Sequence, residues 1–219
     1  MRRKALIIFL LIILVIIFYL LPLLASKTLD YFLMKSIEER VGEKAEVQSS
    51  ASPFFLFNQR FRYIRGKVEN FHLRGFPEGE VDFSLSGGKI IVSSFFRGED
   101  VSSWFLFDSL EVQGRVSEEN LNKWLEESNH RFRVDFKDNK LILIWEKDSK
   151  IFRIPGKLEA KEGRMYFVPE MPAFLQLFLG KKEIAVWERP EISFSSVVIE
   201  GNYLLWEGKI NEEVFKKRV

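Results

Sequence analysis

The chain reads as an α+β protein: an N-terminal transmembrane helix, then a mostly antiparallel β domain packed with two or three helices. Three observations predict this. Residues 5–25 carry no charge and follow the basic cluster Arg2, Arg3, Lys4. Beyond residue 43 the chain breaks into short alternating runs separated by Gly, Pro and Asp-Asn, which is a strand signal. Those runs are interrupted by only a few stretches with apolar residues at spacings of three and four.

At about 1.5 Å per residue the uncharged run is roughly 31 Å long, the thickness of a bilayer's hydrocarbon core. A cleaved secretory signal has a shorter apolar region and a small-x-small end, whereas this run closes on Leu23-Leu24-Ala25-Ser26. A retained anchor is expected. The basic cluster keeps the N-terminus cytoplasmic by the positive-inside rule, so the main domain is expected outside the cytoplasm of a cell whose membrane it crosses once. The divisions are residues 1–25 for basic tip and anchor, 26–42 for a helical stalk and 43–219 for one β-rich domain.

The stalk is predicted from Leu29, Phe32, Leu33, Ile37 and Val41, with Ser26 or Thr28 as cap and Gly42 as stop. Val81, Phe83 and Leu85 then alternate with polar neighbours, and Gly87-Gly88 before Lys89-Ile90-Ile91-Val92 predicts a hairpin. Ser117 is placed to cap a helix that begins with Glu118 and Glu119 and carries Leu121, Trp124 and Leu125 on one stripe. A second hairpin turns at Asp138-Asn139, so that Lys137 faces Lys140 and Phe132, Val134, Phe136, Leu141, Leu143 and Trp145 share a face. Pro155-Gly156 and Glu162-Gly163 predict the turns of a meander. A short helix is expected from Pro172, with Phe174, Leu175 and Phe178 on one side, before three more strands ending at Ile210. The segment from Gly114 to Lys123 is echoed from Gly208 to Lys217; either the domain holds two similar sheet-plus-helix units or both segments share the ordinary chemistry of a strand-to-helix junction.

Composition narrows the function. The 219 residues are formally +2, but beyond Arg2, Arg3 and Lys4 there are 30 basic groups against 31 acidic ones, and no basic stripe suits nucleic acid. With no cysteine and two histidines, His72 and His130, neither a disulfide frame nor a dedicated transition-metal site is expected, and no cofactor. No nucleophile elbow or phosphate loop occurs, and Glu118, Glu119, Glu126 and Glu127 read as a solvated helix face, so no enzyme is expected. What stands out is aromatic surplus: 22 Phe and 5 Trp. Phe54, Phe55 and Phe57, then Phe95 and Phe96, then Trp104, Phe105 and Phe107 place bulky groups on both faces of their segments. Such segments need cover on both sides. One explanation is a sheet with core on one face and a helix on the other; the second is an apolar groove in which lipid replaces part of the core. The groove reading assigns those eight residues as acyl-chain contacts, Leu121, Trp124 and Leu125 as its wall, and Phe174, Leu175 and Phe178 as further contacts.

The order of short motifs supports the second. Ile64-Arg65-Gly66-Lys67-Val68-Glu69-Asn70-Phe71, the loop Gly75-Phe76-Pro77 and Val112-Gln113-Gly114-Arg115-Val116-Ser117-Glu118-Glu119-Asn120-Leu121 are followed by Ile154-Pro155-Gly156-Lys157-Leu158, Val168-Pro169 and Arg189-Pro190-Glu191-Ile192. This order resembles the LmeA-like family of bacterial envelope proteins, whose characterised member binds phospholipid, over residues 43–210. The resemblance implies an elongated half-barrel of curled antiparallel sheet, similar to the tubular lipid-binding superfamily, with phospholipid and membrane as partners and no catalytic residues. The rival expectation is an envelope interaction module that recruits proteins through an exposed apolar sheet edge or patch.

Overall fold

The computed structural model describes residues 2–41, 44–71, 76–91, 97, 105–107, 109–128, 132–147, 150–170, 183–187 and 192–210. Its elements, in chain order, begin with α1 (Arg2–Val15), a π-helical turn (Ile16–Leu20), α2 (Leu21–Val41), β1 (Ala45–Ala51), the one-turn helix α3 (Phe55–Asn58), β2 (Phe61–Phe71), β3 (Gly79–Ser86), β4 (Lys89–Ile90) and β5 (Phe105–Leu106). There follow β6 (Ser109–Ser117), α4 (Glu118–Glu127), β7 (Phe132–Lys137), β8 (Lys140–Lys147), β9 (Lys150–Lys161), β10 (Arg164–Pro169), β11 (Ile184–Trp187), β12 (Ile192–Glu200) and β13 (Tyr203–Ile210). Every strand pairing is antiparallel.

The segments read from sequence as anchor and stalk form one continuous helix, long and apolar enough over Ile7–Glu39 to cross a membrane. Its π turn lies just before Pro22, where the missing amide and the ring's bulk disturb the ordinary ladder; the Leu21 amide reaches back to the Ile16 carbonyl instead. Ser26 does not cap a new helix, because the helix never stops. Its hydroxyl donates to the Pro22 carbonyl at 3.0 Å and accepts from the Ala51 amide at 2.8 Å, while the Ser49 hydroxyl donates to the Ser26 carbonyl at 3.2 Å. These bonds fix α2 along the open edge of β1. Leu29 and Leu33 then pack on Ala51, Phe61, Ile64, Leu85 and Phe107 as a small second core.

Six strands form the first sheet in the order β1-β2-β3-β6-β13-β12. Alternation builds its inner face in rows, one being Ala45, Val68, Val81, Gly114, Trp206 and Val197 across the six strands. Two strands need a phase correction to keep apolar residues inward. A bulge at Arg62 brings Phe61 to the face of Ile64, and another at Ser195 brings Phe194 to the face of Val197. Glycine makes room for the largest side chains: a Cβ at Gly66 would lie 2.3 Å from the Phe83 ring and one at Gly114 2.0 Å from the Trp206 indole. The opposite face is charged, with ion pairs such as Lys67–Glu80 at 3.2 Å.

The second sheet runs β11-β10-β9-β8-β7. Asp138 and Asn139 both take positive φ (54° and 58°), the turn that sets Lys137 opposite Lys140 and Phe136 opposite Leu141 as predicted. The two sheets meet where the Phe194 amide of β12 donates to the Gly163 carbonyl in the β9–β10 turn at 2.9 Å. They do not close into a barrel. Their inner faces share one core, in which Val112, Val116, Phe194, Leu204 and Trp206 of the first sheet join Val134, Phe136, Leu141, Met165 and Phe167 of the second and Leu121 and Leu125 of α4.

Two predicted turns are not turns. Gly87-Gly88 closes no hairpin; the chain runs on beside the start of β2, where the Phe61 amide bonds the Gly88 carbonyl at 2.7 Å and Lys89 bridges to Arg60, and β4 pairs with β5. Pro155-Gly156 lies inside β9. The Pro155 carbonyl accepts from the Glu170 amide at 2.8 Å, so its nitrogen also points to the β10 side, where β10 has just ended at Pro169, and no ladder donor is lost. The two echoing segments supply β6 and β13, which are neighbours paired from Ser117–Tyr203 to Leu110–Ile210. The helix that only the two-unit reading places after Ile210, and the one expected from Pro172, lie outside the described residues.

Candidate functional site

The inner face of the second sheet changes character along its length. Phe136 and Leu141 are buried against the shared core, with Gly156 beside them. One row further, Val134 is buried while Leu143 and Ile154 are partly covered. In the next row Phe132, Trp145 and Phe152 stand side by side on β7, β8 and β9; Trp145 is 37% and Phe152 44% exposed, with their rings 5.7 Å apart. An apolar face thus runs out of its core into an exposed aromatic row. Phe152 is eight residues along β9 from Ala160, roughly 26 Å at strand rise, so this end is far from where the sheets join.

The helix α4 explains why cover stops there. The Ser117 hydroxyl caps it by accepting from the Asn120 amide at 3.1 Å, as predicted. Asn122 then satisfies both backbone groups of Val134 at 2.8 Å each, and the Glu118 carboxylate accepts from the Phe136 amide at 2.8 Å. These side chains stand in for a neighbouring strand along β7. Glu118 is therefore a strand partner, not part of a solvated face as Glu119, Glu126 and Glu127 are. With Leu121 and Leu125 buried and Trp124 partly so, the helix covers the inner face near Val134 and Phe136 and ends at Glu127.

The aromatic residues assigned from sequence do not stay together. Phe107 is buried in the small core beside α2, and Phe55 packs on that core with its ring 5.1 Å from Phe61. Phe54 and Phe57 project from the β1–β2 connection, 57% and 76% exposed, and Phe54 meets Phe18 of the N-terminal helix edge to face at 5.6 Å. Phe105 lies in β5 opposite Ile90. Phe95, Phe96, Trp104, Phe174, Leu175 and Phe178 lie outside the described residues, as do His72 and His130. The described assigned residues thus fall into two places, the helix-side end of the first sheet and the shared core, with no single groove lined by all of them. The row Phe132, Trp145, Phe152 is half visible in the sequence: the hairpin pattern puts Phe132 and Trp145 on one face, but Phe152 joins them only through the β8–β9 register.

Two concavities on the described surface are lined mainly by charged and polar residues, the first also by Val47 and Phe83. One of about 520 Å³ lies on the charged face of the first sheet among Glu46, Arg65, Lys67, Asp82, Glu111 and Gln113. The Lys67 ammonium titrates above its ordinary range there, chiefly because it hydrogen-bonds Glu80. The other, of about 820 Å³, lies beside the start of α4 and includes Glu118, Asn122, Arg133 and Tyr203. Among the described residues no group of three or more His, Cys, Asp or Glu is arranged to hold a metal ion.

Compared with protein-family models, with curated proteins and with solved structures, the chain matches none.

Proposed function

We propose that this chain is a bilayer-anchored, extracytoplasmic domain that holds an acyl-chain lipid, a phospholipid by preference, against the inner face of its second sheet. The observation that carries this is the graded face ending in Phe132, Trp145 and Phe152. An acyl chain laid along that row would continue the core with methylenes, each worth about 0.8 kcal/mol when sheltered from water. The two aromatic rings at the exposed end supply wide apolar contact without a shape-specific pocket. The resemblance to the LmeA-like family points to the same ligand class. The N-terminal helix supplies the tether, and Arg2, Arg3 and Lys4 favour a cytoplasmic N-terminus.

Recruitment of protein by strand addition is the weaker reading because most sheet edges are occupied. The edge of β1 is held by Ser26 of α2, that of β7 by Asn122 and Glu118, and that of β12 by the β9–β10 turn. The test is native mass spectrometry of the full chain released from detergent after addition of phosphatidylglycerol. Bound lipid is expected for the unaltered chain and its loss for Trp145→Asp with an unchanged circular dichroism spectrum. No bound lipid in the unaltered chain, or equal binding by the variant, refutes the proposal.

A further inference from the structure

The exposed pair Phe54 and Phe57 has a different environment from the aromatic row, beside the helix read above as a bilayer span. Phe54 touches Phe18, which lies seven residues before Ala25 at the end of the uncharged run. At helical rise that places the contact about 10 Å inside the end of the run, a depth typical of interfacial segments. The neighbouring helix surface at Tyr19, Leu20, Leu23 and Leu24 is itself exposed and apolar.

The connection is built as a rigid tip. Phe55 points inward and packs on Phe61. The amides of Phe57 and Asn58 bond the Phe54 carbonyl, the Gln59 amide bonds the Phe55 carbonyl at 2.7 Å, and the Ser52 hydroxyl accepts from the Phe54 amide. Backbone donors satisfied in this way can enter an apolar layer at little cost. Behind the tip, Arg60 and Lys89 face one another as an antiparallel bridge pair, both exposed and with no ion-pair partner among the described residues. Like charges placed directly opposite are unfavourable on their own. They are suited to an anionic surface just above an apolar one, as at the headgroups of a bilayer.

We infer that the Ser52–Arg60 connection is a second membrane contact: Phe54 and Phe57 enter the leaflet that α2 leaves, and Arg60 and Lys89 meet anionic headgroups. The inference rests on the reading of the N-terminal helix as a span. It goes beyond a tether, because two contacts instead of one fix the domain's tilt on the bilayer.

The chain has no cysteine, so single labels can be placed cleanly. The full chain would be reconstituted in vesicles of phosphatidylcholine and phosphatidylglycerol with an environment-sensitive fluorophore at Leu11→Cys, Phe57→Cys or Gly201→Cys. Aqueous iodide and nitroxide-bearing lipids serve as quenchers. The expected result is that labels at 11 and 57 are quenched by lipid and several-fold less by iodide than the label at 201. A lipid-quenched label at 11 with a label at 57 as open to iodide as that at 201 overturns the inference while leaving the span intact. A label at 11 open to iodide overturns the span and the inference together. Adding Arg60→Glu and Lys89→Glu is expected to move the label at 57 toward water; no movement refutes the role of the charges.

Discussion

The closest packing of a side chain over a glycine in the first sheet yields a prediction whose size can be worked out. Gly114 stands opposite Trp206, and a Cβ there would lie 2.0, 2.2 and 2.3 Å from three atoms of the indole, against 3.4–4 Å for ordinary contact. Relief requires the ring or the strand to move by more than an ångström. The ring has nowhere to go, since Trp206 is 3% exposed with the Phe194 ring at 5.5 Å and the Phe76 ring at 6.0 Å. Gly114→Ala should therefore cost about 2–3 kcal/mol, the upper part of the range for overpacking. In a Trp206→Leu background the obstacle is gone, and alanine in a strand should gain roughly 0.5–1 kcal/mol over glycine. The two changes are thus expected to couple by about 3 kcal/mol. Urea unfolding of the four proteins in mild detergent, followed by far-ultraviolet circular dichroism, measures this as a fall of about 1 M in midpoint for the single variant. An equal cost of Gly114→Ala in both backgrounds would refute the argument that the glycine makes room for the indole.

Further predictions concern the edges and one ion pair. Asn122→Leu removes two hydrogen bonds from Val134 and should destabilise the domain by about 1–3 kcal/mol, with faster amide exchange at Val134 and little change in β10. The Glu170 carboxyl is held below its ordinary value of 4.5, chiefly by the hydrogen bond from Lys140, which is 2.8 Å away. Because its pKa is depressed on folding, the pair's contribution is present above pH 4.5 and fades as pH falls through the folded value. Carbon-detected NMR titration should show a carboxyl below 4.5 that returns toward that value in Lys140→Met; identical titration in both proteins would refute the pairing.

Local chemistry was the legible part of this chain. Asp138-Asn139 specifies its turn through two residues that tolerate positive φ, and Ser117 specifies the start of α4 through one hydroxyl, so neither depends on distant residues. Pro155-Gly156 looks like a turn in the sequence because the acceptability of Pro155 inside β9 depends on β10 ending at Pro169, a fact of register. Sequence offers Ser26 or Thr28 as a cap because the amide that Ser26 satisfies belongs to Ala51, twenty-five residues away. The aromatic segment from Phe54 to Phe57 showed that both of its faces are apolar, but cover and exposure look alike in such a pattern. The structure separates them, turning Phe55 into the small core and Phe54 and Phe57 toward the helix and the surface.

The central claim is that an acyl chain lies along Phe132, Trp145 and Phe152. It is tested most directly by replacing Phe152 with benzoylphenylalanine, with Val198 on the outer face of the first sheet as a control position, and irradiating the full chain in micelles containing phosphatidylglycerol. A covalent phospholipid adduct is expected at position 152 and little at position 198. Equal adduct at both positions, or none at 152, would contradict it.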